Sequence, residues 1–305
     1  MFSFIVRRLL IIIPMALLVV TVTWGLIRLA PGNFYSSEKK LPPAIEENIK
    51  KKYGLDKPFY QQYLIMMGNV LRLDFGDSLK YEGQSVNQII SRHFPYSATL
   101  GLFAYLLALV IGLASGYISA LKQNSGWDYA SMSLAMLGQS VPSFVIGPIL
   151  VIIFALGIYI FPPARAGGFM NYVLPVITLS AIYAAYIARL TRAGMVEVLR
   201  SDYIRTARAK GLSETRVLLR HALKGGLIPV VSYTGPALAA LLAGTVVVER
   251  IFAMPGLGNI FIQSIFNRDE PLTLGIVAFL SILIMVFNLL VDISYAFLDP
   301  RIRYE

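Results

Sequence analysis

The sequence predicts an all-α, polytopic membrane protein with six transmembrane helices and both termini in the cytoplasm (N-in/C-in). Three observations predict it. The 305 residues are 56% hydrophobic and 14% charged, with a mean hydropathy of +0.66, whereas a soluble domain carries about 25% charged residues to cover its surface. Apolar runs of about 20 residues, the length a helix needs to cross roughly 30 Å of hydrocarbon, occur at 9–27, 97–121, 129–161, 172–188, 225–248 and 272–291. With the N-terminus inside, segments 1–8, 122–128, 189–224 and 292–305 are cytoplasmic and hold 14 Lys/Arg against 7 Asp/Glu, while the remainder holds 13 against 10. Excess Lys and Arg in short loops marks the cytoplasmic side.

The elements follow in order. Arg7 and Arg8 precede the first run as they precede a signal peptide, but the apolar stretch is too long and no small-x-small cleavage site follows, so residues 1–29 read as a retained anchor. Residues 30–96 are the one sizeable extracytoplasmic region, with mixed apolar and charged helical spacing over 44–53 and 58–73. Two short helices over the outer membrane face fit that spacing, and Phe75-Gly76-Asp77-Ser78 reads as a turn. Residues 97–296 form the transmembrane core. Its long third run contains Pro142, Pro148 and Gly157, which predict a bend or an early end. The fourth run is short and closed by Arg189. Glu249 and Arg250 follow the fifth run and are placed at its outer rim. Asn288 and Asp292, near the inner end of the sixth, read as packing and interface residues, and 297–305 form a cytoplasmic tail.

The densest feature is the basic segment 189–224, with nine Lys/Arg. Asp202 is suited to cap a short helix over 203–210, Gly211 to take the left-handed residue that ends it, and Ser213 to cap a second helix from Glu214. Ile204, Ala207 and Leu212 punctuate the hairpin and are expected to enter a groove on a partner. A solvated basic loop near anionic lipid is the competing reading of the same charges.

The chemistry excluded is equally plain. There is no cysteine, so disulfides and thiolate metal sites are absent. His93 and His221 lie outside the runs and far apart, which leaves neither a metal cluster nor a base for an intramembrane Ser–His hydrolase. The net charge of +10 sits outside the apolar runs rather than on a soluble face, so no nucleic-acid partner is expected. No phosphate-binding G-x-x-x-x-G-K-[ST] loop occurs, so the chain is not itself expected to hydrolyse ATP and needs no cofactor. The run cores also lack the ionisable residues that a proton-coupled secondary transporter uses. That transporter and a stand-alone channel remain the alternatives.

Asp202-Tyr203-Ile204-Arg205-Thr206-Ala207-Arg208-Ala209-Lys210-Gly211, followed by His221-Ala222-Leu223-Lys224 and Leu227-Ile228-Pro229, resembles the cytoplasmic signature loop of ABC importer permeases. More narrowly, the chain resembles the B-type transmembrane subunit of the dipeptide/oligopeptide/nickel family. Leu29-Ala30-Pro31-Gly32, Tyr53-Gly54-Leu55-Asp56-Lys57-Pro58, Phe252-Ala253-Met254-Pro255-Gly256-Leu257-Gly258 and Leu298-Asp299-Pro300-Arg301-Ile302-Arg303 extend the resemblance over nearly the whole chain. Arg205-Thr206-Ala207 stands where the general signature has Glu-Ala-Ala, and Pro229 lies five residues beyond the usual proline, as the peptide group has it. Pro31-Gly32-Asn33-Phe34 lacks the Asp-Pro usual in the group.

This resemblance implies a type I ABC importer permease fold in a bacterial or archaeal plasma membrane. It implies a second homologous permease subunit, two ABC ATPase subunits and an extracytoplasmic solute-binding protein as partners, besides the lipid bilayer. The expected function is ATP-driven uptake of di- or oligopeptides or related small solutes, with this chain forming half of the translocation pathway. The ATPase-coupling loop maps to Asp202, Tyr203, Arg205, Thr206, Ala207, Arg208, Lys210, Gly211, Leu212 and Glu214. Polar residues at membrane depth tend to face a passage or another helix. Gln139, Ser140 and Ser143 beside Pro142, then Tyr183, Ser232, Tyr233 and Thr234, are therefore the candidates for the pathway, with helix–helix hydrogen bonding as the competing role.

Overall fold

The computed structural model describes residues 2–29, 56–163, 165, 167–242 and 246–298. Among them the chain is helical, with a single isolated bridge between Asp77 and Ser85 and no strand. Five helices are long and apolar enough to cross a membrane, and a sixth crossing is available from a helix pair bent by 101°. The chain divides into two compact units: Met1–Pro95 with Gly256–Met285, and Tyr96–Pro255 with Val286–Glu305.

In the first unit, α1 (Phe2–Leu29) buries a stripe of Ala16, Val20 and Trp24 and exposes Leu10, Leu18, Val22 and Leu26. The four-residue spacing puts one face on protein and leaves the other for lipid. The stripe meets Tyr63, Met66, Met67 and Val70 of α2 (Phe59–Leu71), and Leu274 and Ala278 near the start of the last helix. The second of the two expected outer helices is thus present; 44–53 lies outside the described residues. The predicted turn is also found, with Gly76 at φ +76°. The outer end of this unit is tied by polar groups. Asp269 is fully buried and accepts from the Ser78 hydroxyl and from the backbone N–H groups of Leu79, Lys80 and Leu272. Arg28 reaches both Gln62 (2.8 Å) and Glu270 (2.9 Å).

α3 (Val86–Leu121) begins eleven residues before the apolar run that predicted it, because Val86, Ile89 and Ile90 form an apolar face against Leu257 and Ile260 of α12 (Leu257–Phe266) and Leu272 and Ile276. Pro95 sits inside it without ending it. α13 (Glu270–Leu298) similarly outruns its predicted span at both ends.

In the second unit, the third run is two helices, α4 (Gly126–Ser140) and α5 (Ser143–Leu150), the latter continued by a π-helical stretch, Val151–Gly157. Val141 between them is extended (φ −106°, ψ 125°). A proline at 142 disfavours the helical conformation in the residue before it, which accounts for the predicted bend. α6 (Met170–Leu199) is central and holds the main correction. The predicted span stopped at Arg189, but the helix runs ten residues further, with Thr191, Gly194 and Met195 buried. The fifth run matches one candidate span, Ile228–Ile251, described as α10 (Ile228–Leu242) and α11 (Val246–Ile251), and its first residues belong to the hairpin described below.

Small residues set the helix separations. Gly112 and Gly116, one turn apart on α3, face Ala184, Ile187, Ala188 and Thr191 of α6, where an added Cβ would lie 2.4–2.8 Å from existing atoms. Gly138 of α4 meets Ala181 of α6 in the same way, at 2.6 Å. Backbone approach through glycine is how helices pack where the surrounding lipid offers no hydrophobic drive. Glu249, placed at the outer rim of the fifth run, is fully buried and accepts a 2.7 Å hydrogen bond from Ser97.

Candidate functional site

The basic hairpin is a folded element. α7 (Asp202–Ala209) ends at Gly211 in the left-handed conformation (φ +73°). The Gly211 N–H donates to the Arg208 carbonyl at 2.9 Å, and the Leu212 N–H to that of Ala207 at 3.4 Å. This pair of bonds is the Schellman closure, which requires a residue free of a Cβ penalty at that position. The chain returns through α8 (Glu214–Arg216), a π-helical stretch (Val217–Ala222) and α9 (Leu223–Gly226).

Two local expectations need correction. Ser201, not Asp202, takes the N-cap position, extended at ψ 154°; Asp202 is the first helical residue, and its carboxylate accepts from Arg205 at 3.3 Å. Ser213 does precede the second helix, but its side chain makes no capping bond. The apolar residues also face the other way. Ile204, Ala207, Met195, Val217, Ala222 and Ala120 form one buried cluster, with Leu212 packed against it. A hairpin this small needs its own apolar core, and Ile204 and Ala207 supply it. They anchor the hairpin to the inner ends of α3 and α6 and are not available to a partner.

What the hairpin presents outward is polar. Asp202, Tyr203, Arg205, Thr206, Arg208, Lys210, Gly211 and Glu214 are all exposed. Arg208 crosses the turn to Glu214 with two bonds, 2.6 and 3.1 Å. That partner holds the Glu214 carboxyl below the ordinary glutamate range and raises the Arg208 guanidinium.

The second group of candidates lies on α4, α6 and α10 of the same unit. Gln139 accepts a 2.6 Å bond from the Arg189 guanidinium, which also lies 4.8 Å from the Tyr186 ring centre. Tyr186 stacks on Tyr233 (5.7 Å between centres, 26° between planes), and Tyr183 stands 6.5 Å from Tyr233. Thr234 receives the Tyr105 hydroxyl at 2.5 Å and bonds the carbonyl of Val230. Gln139, Tyr183 and Tyr233 are thereby drawn toward one polar and aromatic face, while Thr234 is tied to Tyr105 in the core. Ser140 and Ser232 only bond their own helices, to the carbonyls of Met136 and Ile228, and Ser143 is half-buried beside the bend.

Sequence reasoning missed Arg189, Tyr186 and Tyr105. Arg189 was assigned to a loop because it ended an apolar run; the helical spacing of Ala188, Thr191 and Met195 across it was the available signal. It missed Asp128 too. This buried carboxylate accepts two bonds from Arg192 (2.9 and 3.0 Å), one from the Asn124 N–H (2.9 Å) and one from the Ser119 hydroxyl. It locks the turn between α3 and α4 to α6. No run or motif marked it.

Comparison with known proteins fits this architecture. Residues 108–304 match the binding-protein-dependent transport system inner membrane component family, and residues 1–101 match the N-terminal component that accompanies it. The chain is 45% identical over 306 residues to the oligopeptide transport system permease protein OppB of Haemophilus influenzae and to that of Escherichia coli, covering 100% of each chain. It is 42% identical to the dipeptide transport system permease protein DppB of Bacillus subtilis, over 94% of this chain and 93% of that one. Among solved structures, an inward-facing form of the MetNI methionine ABC transporter shares the fold with a TM-score of 0.56 at 16% identity, covering 69% of this chain and 96% of its own. An amino acid ABC transporter does so with a TM-score of 0.53, over 69% and 94%. The chain therefore belongs to the inner membrane component family of binding-protein-dependent transport systems, and is a multi-pass permease of an ABC importer.

Proposed function

We propose that this chain forms half of the passage of a peptide importer and receives the work of ATP hydrolysis through its hairpin. The observation that carries the reading is that hairpin. An ordered turn with its own core, fixed to α3 and α6, holds a basic surface rigidly outward, which is more than a solvated loop needs. Its partners are two ATPase subunits, each hydrolysing ATP outside this chain, together with a second homologous permease and an extracytoplasmic binding protein. The plasma membrane of a prokaryote is the setting, as for the bacterial relatives. Di- or oligopeptides are the cargo by analogy with relatives aligned over the full chain. On this reading Gln139, Tyr183 and Tyr233 line the passage, and Arg205, Arg208 and Lys210 meet an ATPase. ATP-driven closure need only bias two conformations that differ by a few kcal/mol.

The test is reconstitution of the chain with the three other kinds of component named above, all in proteoliposomes. Peptide uptake should require ATP and the binding protein. Flux without either would identify a channel instead.

A further inference from the structure

Arg189 is a cation at the inner end of a membrane helix, and among the described residues no carboxylate pairs with it. Its neighbours are the Gln139 amide oxygen (2.6 Å) and the face of Tyr186 (4.8 Å to the ring centre). Arginine has donors only, so the Gln139 oxygen is turned toward it and the Gln139 NH2 group points away. That NH2 meets no acceptor among the described residues, and both side chains are only half-buried. The guanidinium lies over Tyr186, which is stacked on Tyr233, and the Gln139 NH2 group is a second, uncharged donor beside it. An arginine near a helix end either pairs with an acid or carries its head to the interface. Asp128 is that acid for Arg192, three residues along the same helix. Arg189 has the opposite arrangement: donors without an acid.

We infer that Arg189, with Gln139, forms a carboxylate-recognition station at the cytoplasmic mouth of the passage, taking the C-terminal carboxylate of the transported peptide. The inference rests on the peptide-import reading and deepens it. The guanidinium fork fits a planar carboxylate through two parallel bonds. The carboxylate is the one anionic group that every unmodified peptide carries, whatever its sequence. The tyrosine rings offer flat, uncharged contact to a side chain of any type, so the station recognises the peptide end while tolerating its residues.

The test compares trialanine with its C-terminal amide in the full reconstituted importer. Both are supplied at concentrations that saturate the binding protein, so its own preference is common to wild type and variants. Arg189→Gln should lower uptake of the free acid by about tenfold, the scale of one charge-assisted hydrogen bond, and change uptake of the amide less than about twofold. Arg189→Lys, which keeps the charge but not the fork, should fall between. A second measurement uses the wild-type complex without ATP: the rate at which a dicarbonyl reagent modifies Arg189, read by mass spectrometry. Trialanine should protect, and its amide should not. An unchanged acid-to-amide ratio in an assembled Arg189→Gln importer overturns the assignment, as does equal protection by both peptides. A wild-type importer that takes up neither peptide overturns the peptide reading instead, and the modification assay still decides whether Arg189 holds a carboxylate.

Discussion

Two glycines of the second unit do different jobs, and their substitutions separate conformation from space. Gly211 is surrounded by open space but sits at φ +73°. Gly211→Val meets no neighbour, yet a left-handed conformation costs an L-residue about 1–2 kcal/mol. The protein should insert normally, while ATP hydrolysis and uptake become uncoupled or the ATPase subunits dissociate; normal uptake would remove the hairpin from the coupling role. Gly194 has ordinary backbone, but a Cβ there would stand 2.3 Å from the carbonyl oxygen of Gly226. Backbone cannot swing aside, so Gly194→Ala should destabilise the packing of α6 on α9 by about 1–3 kcal/mol, seen as a lower melting temperature in detergent. The Asp128–Arg192 pair makes a third residue-scale prediction. Because each single substitution strands its partner, Asp128→Asn and Arg192→Met should each destabilise, and the double variant should lose less than their sum, with a coupling of about 0.5–3 kcal/mol. Additive losses would show that the two act separately.

The hairpin and the bend were readable because each depends on local chemistry. Gly211 between two short helical patterns and Pro142 behind Val141 restrict backbone angles whatever the surroundings. Direction was not readable. Ile204 and Ala207 look the same in sequence whether they face a partner or their own helix, and only Met195, Val217 and Ala222 packed behind them settle it. The length of α6 was hidden for a similar reason, since Arg189 ends an apolar run without ending a helix. Asp128 was invisible because its side-chain partners, Ser119 and Arg192, lie nine and 64 residues away. For the hairpin itself a pH prediction follows from Glu214. Its carboxyl is lowered by Arg208, so the ion pair is intact at neutral pH and is lost only as pH falls through that depressed value. Amide exchange of Arg208–Glu214, corrected for intrinsic rates, should be flat from about pH 8 to about 5. Glu214→Gln should loosen the segment at neutral pH; loosening of the wild type between pH 7 and 5 would contradict the assignment. At the bend, Pro142→Ala relieves the restriction on Val141. It should impair uptake without preventing insertion or assembly, and unimpaired uptake would show that the angle between α4 and α5 is incidental.

Across the whole molecule, the charge distribution predicts an inside N-terminus. Single cysteines at Lys122 and Ser213 should be labelled only from the cytoplasm, and one at Glu82 only from outside; all three positions are exposed. Labelling of Ser213 from outside in sealed cells would overturn the orientation. With that orientation, one dimension of α6 acquires a mechanical meaning. Its 30 residues make a rod about 45 Å long, of which about 30 Å spans hydrocarbon. The remaining third projects into the cytoplasm and carries the hairpin on its flank. Glycines of α3 and α4 bring those helices close against the rod, while its Leu174, Leu179 and Ile187 pack into the core of the unit. A fulcrum at the inner membrane surface would then divide it into arms of about one to two. A sideways push of about 2 Å on the hairpin would swing the outer end about 4 Å the opposite way, so this helix would give up force at its short arm to gain travel at its long one.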